Sequence, residues 1–357
     1  MTIYCILGMH RSGTSAITNL LQHCGLYLGE VGQLMFSLED NPDGHWEHLE
    51  FVSINDLILS RLDGAWNNVP KKLQPNWTLQ IELDDLRQKA QDLIASFPAE
   101  KDWLWKDPRT MLTIAFWQEL IPNLQPIWVV RHPQEVALSL ASRTYSTHMP
   151  YREALNLWKN YYEVAFQTVS PENHFIIAYE SLFYQPHSEA QRICNYLGKP
   201  YTAELEAKYP EIIKPQRRRG AIPFASLQTH KDQLPNGLIE IYNKLTAQAG
   251  VVFQQLSQDT TYQVTESITS LINSKLALQE STVQFKSEIS IKNEQLSALN
   301  QELNDKTKRI QELQQQLRQK ELELESVSNY AKELRAMLKN PLLVAKKVFK
   351  KIKQSWK

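Results

Sequence analysis

The residues that most constrain this chain are Gly8-Met9-His10-Arg11-Ser12-Gly13-Thr14-Ser15, set between the apolar run Ile3 to Leu7 and a helical pattern that begins at Ser15. A strand that turns through glycines into a helix is the setting of a phosphate-binding loop. The glycines let the backbone curl so that successive amides face one anion, and the helix start adds the positive end of its dipole. The hydroxyls of Ser12, Thr14 and Ser15 supply further donors. The spacing from Gly8 to Gly13 also fits the nucleoside triphosphate loop G-x-x-x-x-G-K-[ST]. Thr14, however, stands where that loop carries the lysine that reaches the β and γ phosphates. This counts against a kinase or an ATPase. The cation of the loop is instead Arg11.

Short, continuously apolar runs at Ile3 to Leu7, Trp103 to Lys106, Ile127 to Val130 and Phe175 to Tyr179 alternate with helical patterns. The patterns predict helices over 15–24, 111–120, 134–143, 152–168 and 189–197. Such alternation predicts an α/β fold with a parallel sheet flanked by helices, its strands buried on both faces.

The chain has 39 Lys plus Arg against 39 Asp plus Glu, so no global field draws it to nucleic acid and any basic site must be local. No nucleic-acid partner is expected. Cys5, Cys24 and Cys194 are odd in number and far apart, which fits neither a disulfide framework nor a zinc site. Reduced, buried thiols and no metal are expected. The run Ile3 to Leu7 is too short for a signal-peptide core, and no apolar stretch approaches the roughly 20 residues of a membrane span. A soluble, cytoplasmic body is the expectation, peripheral at the inner membrane face if the basic tail docks there.

After Phe253, Gln, Glu, Ser, Lys and Leu replace Trp and Pro. From Ile289 an apolar residue recurs every seventh position through Leu296, Leu303, Ile310, Leu317, Leu324, Ala331 and Leu338. The companion seam is Leu299, Leu313, Val327 and Leu334, interrupted by Lys292, Lys306 and Lys320. This is a heptad pattern and predicts a long C-terminal coiled coil, hence a homo-oligomer. Lys339 to Lys357 holds seven lysines and no acid. On a helical projection Ala345, Val348, Phe349, Ile352 and Trp356 share a face opposite Lys346, Lys347, Lys350 and Lys353, a pattern suited to peripheral contact with an anionic membrane, or to a solubilising tail. The expected organisation is a catalytic domain over 1–255, a helical linker over 256–281, the coiled coil over 282–338 and the basic amphipathic tail over 339–357.

A second motif bears on function: Trp128-Val129-Val130-Arg131-His132-Pro133, continuing to Ser139. Arg131 leaves the end of a strand, Pro133 pre-sets φ for the first helical turn, and Ser139 follows along that helix. Arg-Ser-Gly-Thr-Ser at 11–15 and this Arg-x-Pro with its later serine together resemble the two signatures of sulfotransferases that use 3′-phosphoadenosine 5′-phosphosulfate (PAPS). Trp105-Lys106-Asp107-Pro108-Arg109 is similar to a block of bacterial members, and Tyr179-Glu180-Ser181-Leu182 looks like a later family segment. The resemblance runs from Ile3 to about Gly220.

The resemblance implies PAPS as cosubstrate, with Arg11, Ser12, Gly13, Thr14 and Ser15 at its phosphosulfate end and Arg131 and Ser139 at its 3′-phosphate. Arg218 and Arg219, in Arg217-Arg218-Arg219-Gly220, resemble a further 3′-phosphate contact, and solvated arginines are the other reading. Lys106 aligns with a lysine that serves the transferring sulfuryl group. Glu47, in Asn41-Pro42-Asp43-Gly44-His45-Trp46-Glu47, is the first choice of general base, with Glu30, Asp107 and His45 as alternatives. The acceptor implied is a hydroxyl, on a glycan or glycolipid. A P-loop kinase and a catalytically inactive nucleotide-binding scaffold are the rival readings.

Overall fold

The computed structural model describes residues 1–35, 44–71, 73, 76–142, 149–172, 174–215, 222, 224–259 and 266–355. In chain order the elements are β1 (Ile3–Leu7), α1 (Thr14–His23), α2 (Leu49–Arg61), α3 (Asp84–Ser96), β2 (Trp103–Lys106), α4 (Thr110–Leu120), β3 (Gln125–Val130), α5 (Pro133–Ala141) and α6 (Tyr151–Thr168). There follow β4 (Phe175–Ala178), α7 (Ser181–Tyr184), α8 (Pro186–Leu197), α9 (Ala203–Ile212), α10 (Ala225–Thr229), α11 (Leu238–Thr246), α12 (Val251–Gln258), α13 (Glu266–Lys339) and α14 (Pro341–Gln354).

The four strands form one parallel sheet in the order β2-β1-β3-β4. Each run expected as a strand is one, because a run apolar at nearly every position can be covered on both faces; Lys106, which ends β2, is buried as well, against Glu47. Side-chain alternation then sorts the strands into two cores. Cys5, Leu7, Trp103, Trp105, Trp128, Val130, Ile176 and Ala178 face the layer that contains α2 to α6 and α11. Tyr4, Ile6, Leu104, Ile127, Val129 and Ile177 face α1, α8 and α9. The first core is aromatic: Phe51 stacks on Trp105 with ring centroids 4.6 Å apart, and Phe97 on Trp103 at 4.2 Å. Cys24 and Cys194 meet across the second core with sulfurs 3.6 Å apart, and all three cysteines are buried thiols.

The chain divides into two units, Met1–Gln279 and Glu280–Lys357. Position 255, expected as the end of the first domain, falls inside α12, where Leu256 is buried. In the second unit the heptad leucines of α13 are exposed on the single chain. Asn340, with φ −139° and ψ 82°, is outside the helical region, which a following proline disfavours; it ends α13, and Pro341 opens α14 in its first turn. Among the described residues no helix is long and apolar enough to cross a membrane. Trp356 lies outside the described residues.

Candidate active site

From β1 the chain crosses to β2 on one side, whereas from β3 it crosses to β4 on the other. The order therefore reverses between β1 and β3, and in an open parallel sheet the crevice outside the carboxyl ends of such a pair is where ligands bind. The two sequence motifs begin there, since β1 ends at Leu7 and β3 at Val130.

The glycine loop joins β1 to α1. Gly13 caps α1 with φ 85°, a left-handed backbone, and a Cβ there would fall 2.1 Å from the Tyr179 ring. A Cβ on Gly8 would lie 2.7 Å from the Thr14 methyl and 2.9 Å from Cβ of Val129 on β3. Both positions thus exclude any larger residue. Arg11 also takes a positive φ, 69°, which is uncommon for a residue with a Cβ. The first backbone bond at the start of α1 runs from Ile17 N–H to the Gly13 carbonyl. In any α-helix the amides of the first turn precede the ladder, and at a glycine turn they face the place where an anion binds.

Two cations flank this helix start. Arg11 donates through Nε to Ser139 Oγ at 2.9 Å. Lys106, at the end of β2 and 1% exposed, donates through Nζ to Ser15 Oγ at 3.3 Å and to Glu47 Oε1 at 2.7 Å. Ser15 in turn donates to the His45 carbonyl at 3.1 Å. One helix start, two cations and the loop hydroxyls make a donor set that fits a tetrahedral oxyanion.

Glu47 is buried between two cations, for Arg109 Nη1 lies 3.7 Å from its second oxygen. Arg109 is itself tied to Asp107 at 2.8 Å and Asp56 at 2.7 Å. Against the effect of burial, these three carboxylates hold the Arg109 guanidinium above its ordinary range. Asp107 is fully buried, accepting from the Arg109 amide and guanidinium on one oxygen and from Asn55 Nδ2, at 2.8 Å, on the other. Burial pushes its carboxyl up to about 6, against the opposing pull of Arg109. Asn55 completes the network by accepting from Thr113 and Trp117 at 2.7 and 2.8 Å.

The second motif is bonded directly to the first. Arg131 donates through Nη1 to the Arg11 carbonyl at 3.0 Å, and through Nε and Nη2 to Glu135 Oε2 at 3.0 and 2.7 Å. Its guanidinium lies over the Tyr179 ring at 4.7 Å. Burial lowers its affinity for the proton, but Glu135 outweighs this and leaves it raised. The other Glu135 oxygen accepts from the Ile222 amide at 2.9 Å.

The structure brings Arg11, Ser12, Gly13, Thr14 and Ser15 together with Lys106, Glu47, Arg131 and Ser139 at one end of the sheet. Ser139, on α5, accepts from Arg11 and so joins the second motif to the glycine loop. Among the alternative bases, Asp107 has no exposed surface and both its oxygens are engaged. Glu30 accepts from the Tyr27 hydroxyl in an exposed turn, and His45 meets Ser15 through its carbonyl. Arg217, Arg218 and Arg219 lie outside the described residues, as do Asn41 to Asp43. The sequence reading missed Arg109, Asn55 and Glu135. Glu135 had a local signal, standing four residues after Arg131 at a helix start, where the two side chains meet. Asn55 had none. Among the described residues no group of three or more His, Cys, Asp or Glu could hold a metal ion.

A family model described as the sulfotransferase family matches residues 5–203, more than half of the chain. No curated protein matches it. Among solved structures, the sulfotransferase domain from the curacin biosynthetic pathway aligns at 17% identity with a TM-score of 0.39, covering 74% of this chain and 99% of that one. The sulfotransferase domain of the Synechococcus PCC 7002 olefin synthase aligns at 18% with a TM-score of 0.38, over 74% and 96%. Sulfotransferase STF9 from Mycobacterium avium aligns at 16% with a TM-score of 0.38, over 68% and 74%.

Proposed function

This chain belongs to the sulfotransferase family, and from that premise we propose that it transfers the sulfuryl group of PAPS to an acceptor hydroxyl, on a glycan or glycolipid. The observation that carries the reading is the buried Lys106–Glu47 pair beside the start of α1, in a loop whose cation is Arg11 and whose position 14 is threonine. A triphosphate enzyme needs lysine where Thr14 stands.

PAPS, when bound, supplies an activated sulfuryl group joined to a phosphate oxygen. The amides at the start of α1 and the hydroxyls of Ser12, Thr14 and Ser15, with Arg11, would hold the phosphosulfate end and stabilise charge on the departing phosphate. Lys106 would serve the sulfuryl oxygens. Arg131 and Ser139, with Arg218 and Arg219, are the residues proposed for the 3′-phosphate. Glu47 would take the acceptor proton as the acceptor oxygen bonds to sulfur, while the bridging S–O bond breaks and leaves its electron pair on adenosine 3′,5′-bisphosphate. In the present geometry Glu47 accepts from Lys106 on Oε1, so the proton would go to Oε2, which lies 3.7 Å from Arg109 Nη1. Positioning and charge stabilisation supply most of such a transfer, as in phosphoryl transfer.

We further propose that α13 pairs with other copies of the chain through its exposed heptad seam, making a homo-oligomer. Light scattering on the full chain tests this, and a monomer would overturn it.

The nucleotide reading is tested by calorimetry. Adenosine 3′,5′-bisphosphate should bind at least about tenfold tighter than ATP without added magnesium, the difference of about one charged hydrogen bond. Equal affinities would overturn the donor proposed. Radiolabelled PAPS incubated with carbohydrate and lipid fractions then tests the acceptor class; label appearing only on protein or small phenols would reject the glycan.

A further inference from the structure

The two helices of the C-terminal unit differ in how they treat their charges. In α13 opposite charges alternate and pair along the helix, as in Glu302–Lys306, Arg309–Glu312 and Lys320–Glu323. In α14 there is no acid to pair with. Its sequence Pro-Leu-Leu-Val-Ala-Lys-Lys-Val-Phe-Lys-Lys-Ile-Lys-Gln holds five lysines, and no Asp or Glu occurs from Lys339 to Lys357.

The order of these residues makes two faces. At the α-helical period, Leu342, Val344, Ala345, Val348, Phe349 and Ile352 fall on one arc, and Lys346, Lys347, Lys350, Lys351 and Lys353 fall on the opposite one together with positions 343 and 354, Leu and Gln. The apolar arc is uncovered: Leu342 is 77% exposed, Phe349 76%, Ile352 53% and Val348 51%. Both borders of the arc carry lysine, Lys353 beside Leu342 and Lys351 beside Val344.

We propose that α14 is a docking surface for an anionic lipid bilayer, lying in the plane of the interface with its apolar arc toward the acyl chains and its lysines among the headgroups. Charge complementarity selects this occupant. A second copy of α14 would bring unneutralised lysines against lysines, whereas α13 already carries an apolar seam for self-pairing. Lysines on both borders can run their stems along the apolar arc and keep their ammonium groups at headgroup level on either side, which suits a planar interface. At about 1.5 Å per residue, α14 is about 21 Å long, shorter than the roughly 30 Å bilayer core, so it lies on the membrane and does not span it. The break at Asn340–Pro341 separates this surface from the heptad register of α13.

The docking does not depend on which sulfuryl donor the head uses, so it fails or stands separately. The test is flotation of the full-length protein with vesicles of phosphatidylglycerol mixed with phosphatidylcholine, against vesicles of phosphatidylcholine alone. The protein should float with the anionic vesicles only, and added salt should release it. Phe349→Glu should abolish flotation, and Lys346→Gln with Lys350→Gln should weaken it by roughly tenfold or more. The melting transition followed by tryptophan fluorescence should stay unchanged in both variants, since α14 is outside the head. Failure to float, equal flotation with uncharged vesicles, or flotation undiminished by Phe349→Glu would each overturn the proposal. So would self-association abolished by Phe349→Glu in a protein that leaves vesicles unbound, because the face would then belong to a second copy.

Discussion

The head and the C-terminal helices contain the same kind of ion pair in opposite surroundings. Lys106 and Glu47 meet at 2.7 Å with side chains 1% and 8% exposed, whereas Lys320 and Glu323 meet at 3.0 Å with 77% and 55% exposed. Geometry hardly separates them. Burial does: the exposed pair trades one set of water contacts for another, but removing one partner of the buried pair strands a charge in a place water does not reach. The head thus holds charge where chemistry can use it, and the helix uses charge to stay solvated.

The comparison breaks first, and with the largest effect, at Glu47. Glu47→Gln should lower sulfuryl transfer by roughly a hundred- to ten-thousand-fold, the range for a lost general base, with adenosine 3′,5′-bisphosphate affinity unchanged in calorimetry. Transfer within about threefold of wild type would remove Glu47 from that role.

Lys106→Met should cost about 3–5 kcal/mol of head stability in denaturant unfolding followed by tryptophan fluorescence, because Glu47 is left buried without its close partner. The double variant Lys106→Met with Glu47→Leu should recover most of that stability but none of the transfer. A double variant as unstable as the single one would mean that packing, not charge, is what Lys106 supplies.

Next comes the loop itself. Gly13→Ala should destabilise by about 1–3 kcal/mol or more, through its positive φ and the Tyr179 ring at 2.1 Å from the new Cβ, and should abolish nucleotide binding. A well-folded Gly13→Ala protein with normal affinity would show that the helix start is not the anion site.

The buried network also predicts a pH dependence. Because Asp107 is raised in the folded state from 3.8 to about 6, the folded protein binds its proton where the unfolded chain has lost it. Its contribution to stability is therefore present below about pH 4, declines as pH rises to about 6 and is constant above. Melting curves of wild type and Asp107→Asn across that window should diverge in this sense as pH rises. Parallel curves would mean that Arg109 keeps Asp107 ionised throughout. The smallest effect belongs to the helix: Lys320→Ala should shift helix stability by no more than about 0.5 kcal/mol, measured by circular dichroism.

Much of this was readable in advance because it is local. An apolar run at every position makes a strand covered on both faces, and the strand expected at Ile127 to Val130 differs from the observed Gln125–Val130 only at its start. Pro133 opens α5 at its first turn as its fixed φ requires. Helices α2 and α3 were not anticipated, and α2 is the element that supplies Asn55 and Asp56 to the network around Arg109. Asp107 read as a candidate base because sequence shows that a carboxyl is present but not whether its oxygens are already taken.

By itself the sequence determined the glycine loop, the strands that end at the two motifs, the heptad helix and the lysine-rich tail, each a matter of period, spacing or backbone preference within a few residues. The tertiary structure decided the partners. Glu47 and Lys106 are 59 residues apart, Arg11 and Arg131 are 120 apart, and Cys24 and Cys194 are 170 apart. The meeting of Arg11 with Arg131 follows from the strand order β2-β1-β3-β4, which sets the ends of β1 and β3 side by side, and the other two from how the helices and their connections pack on that sheet. No local pattern encodes that order, because it is set by how whole layers bury their apolar faces together.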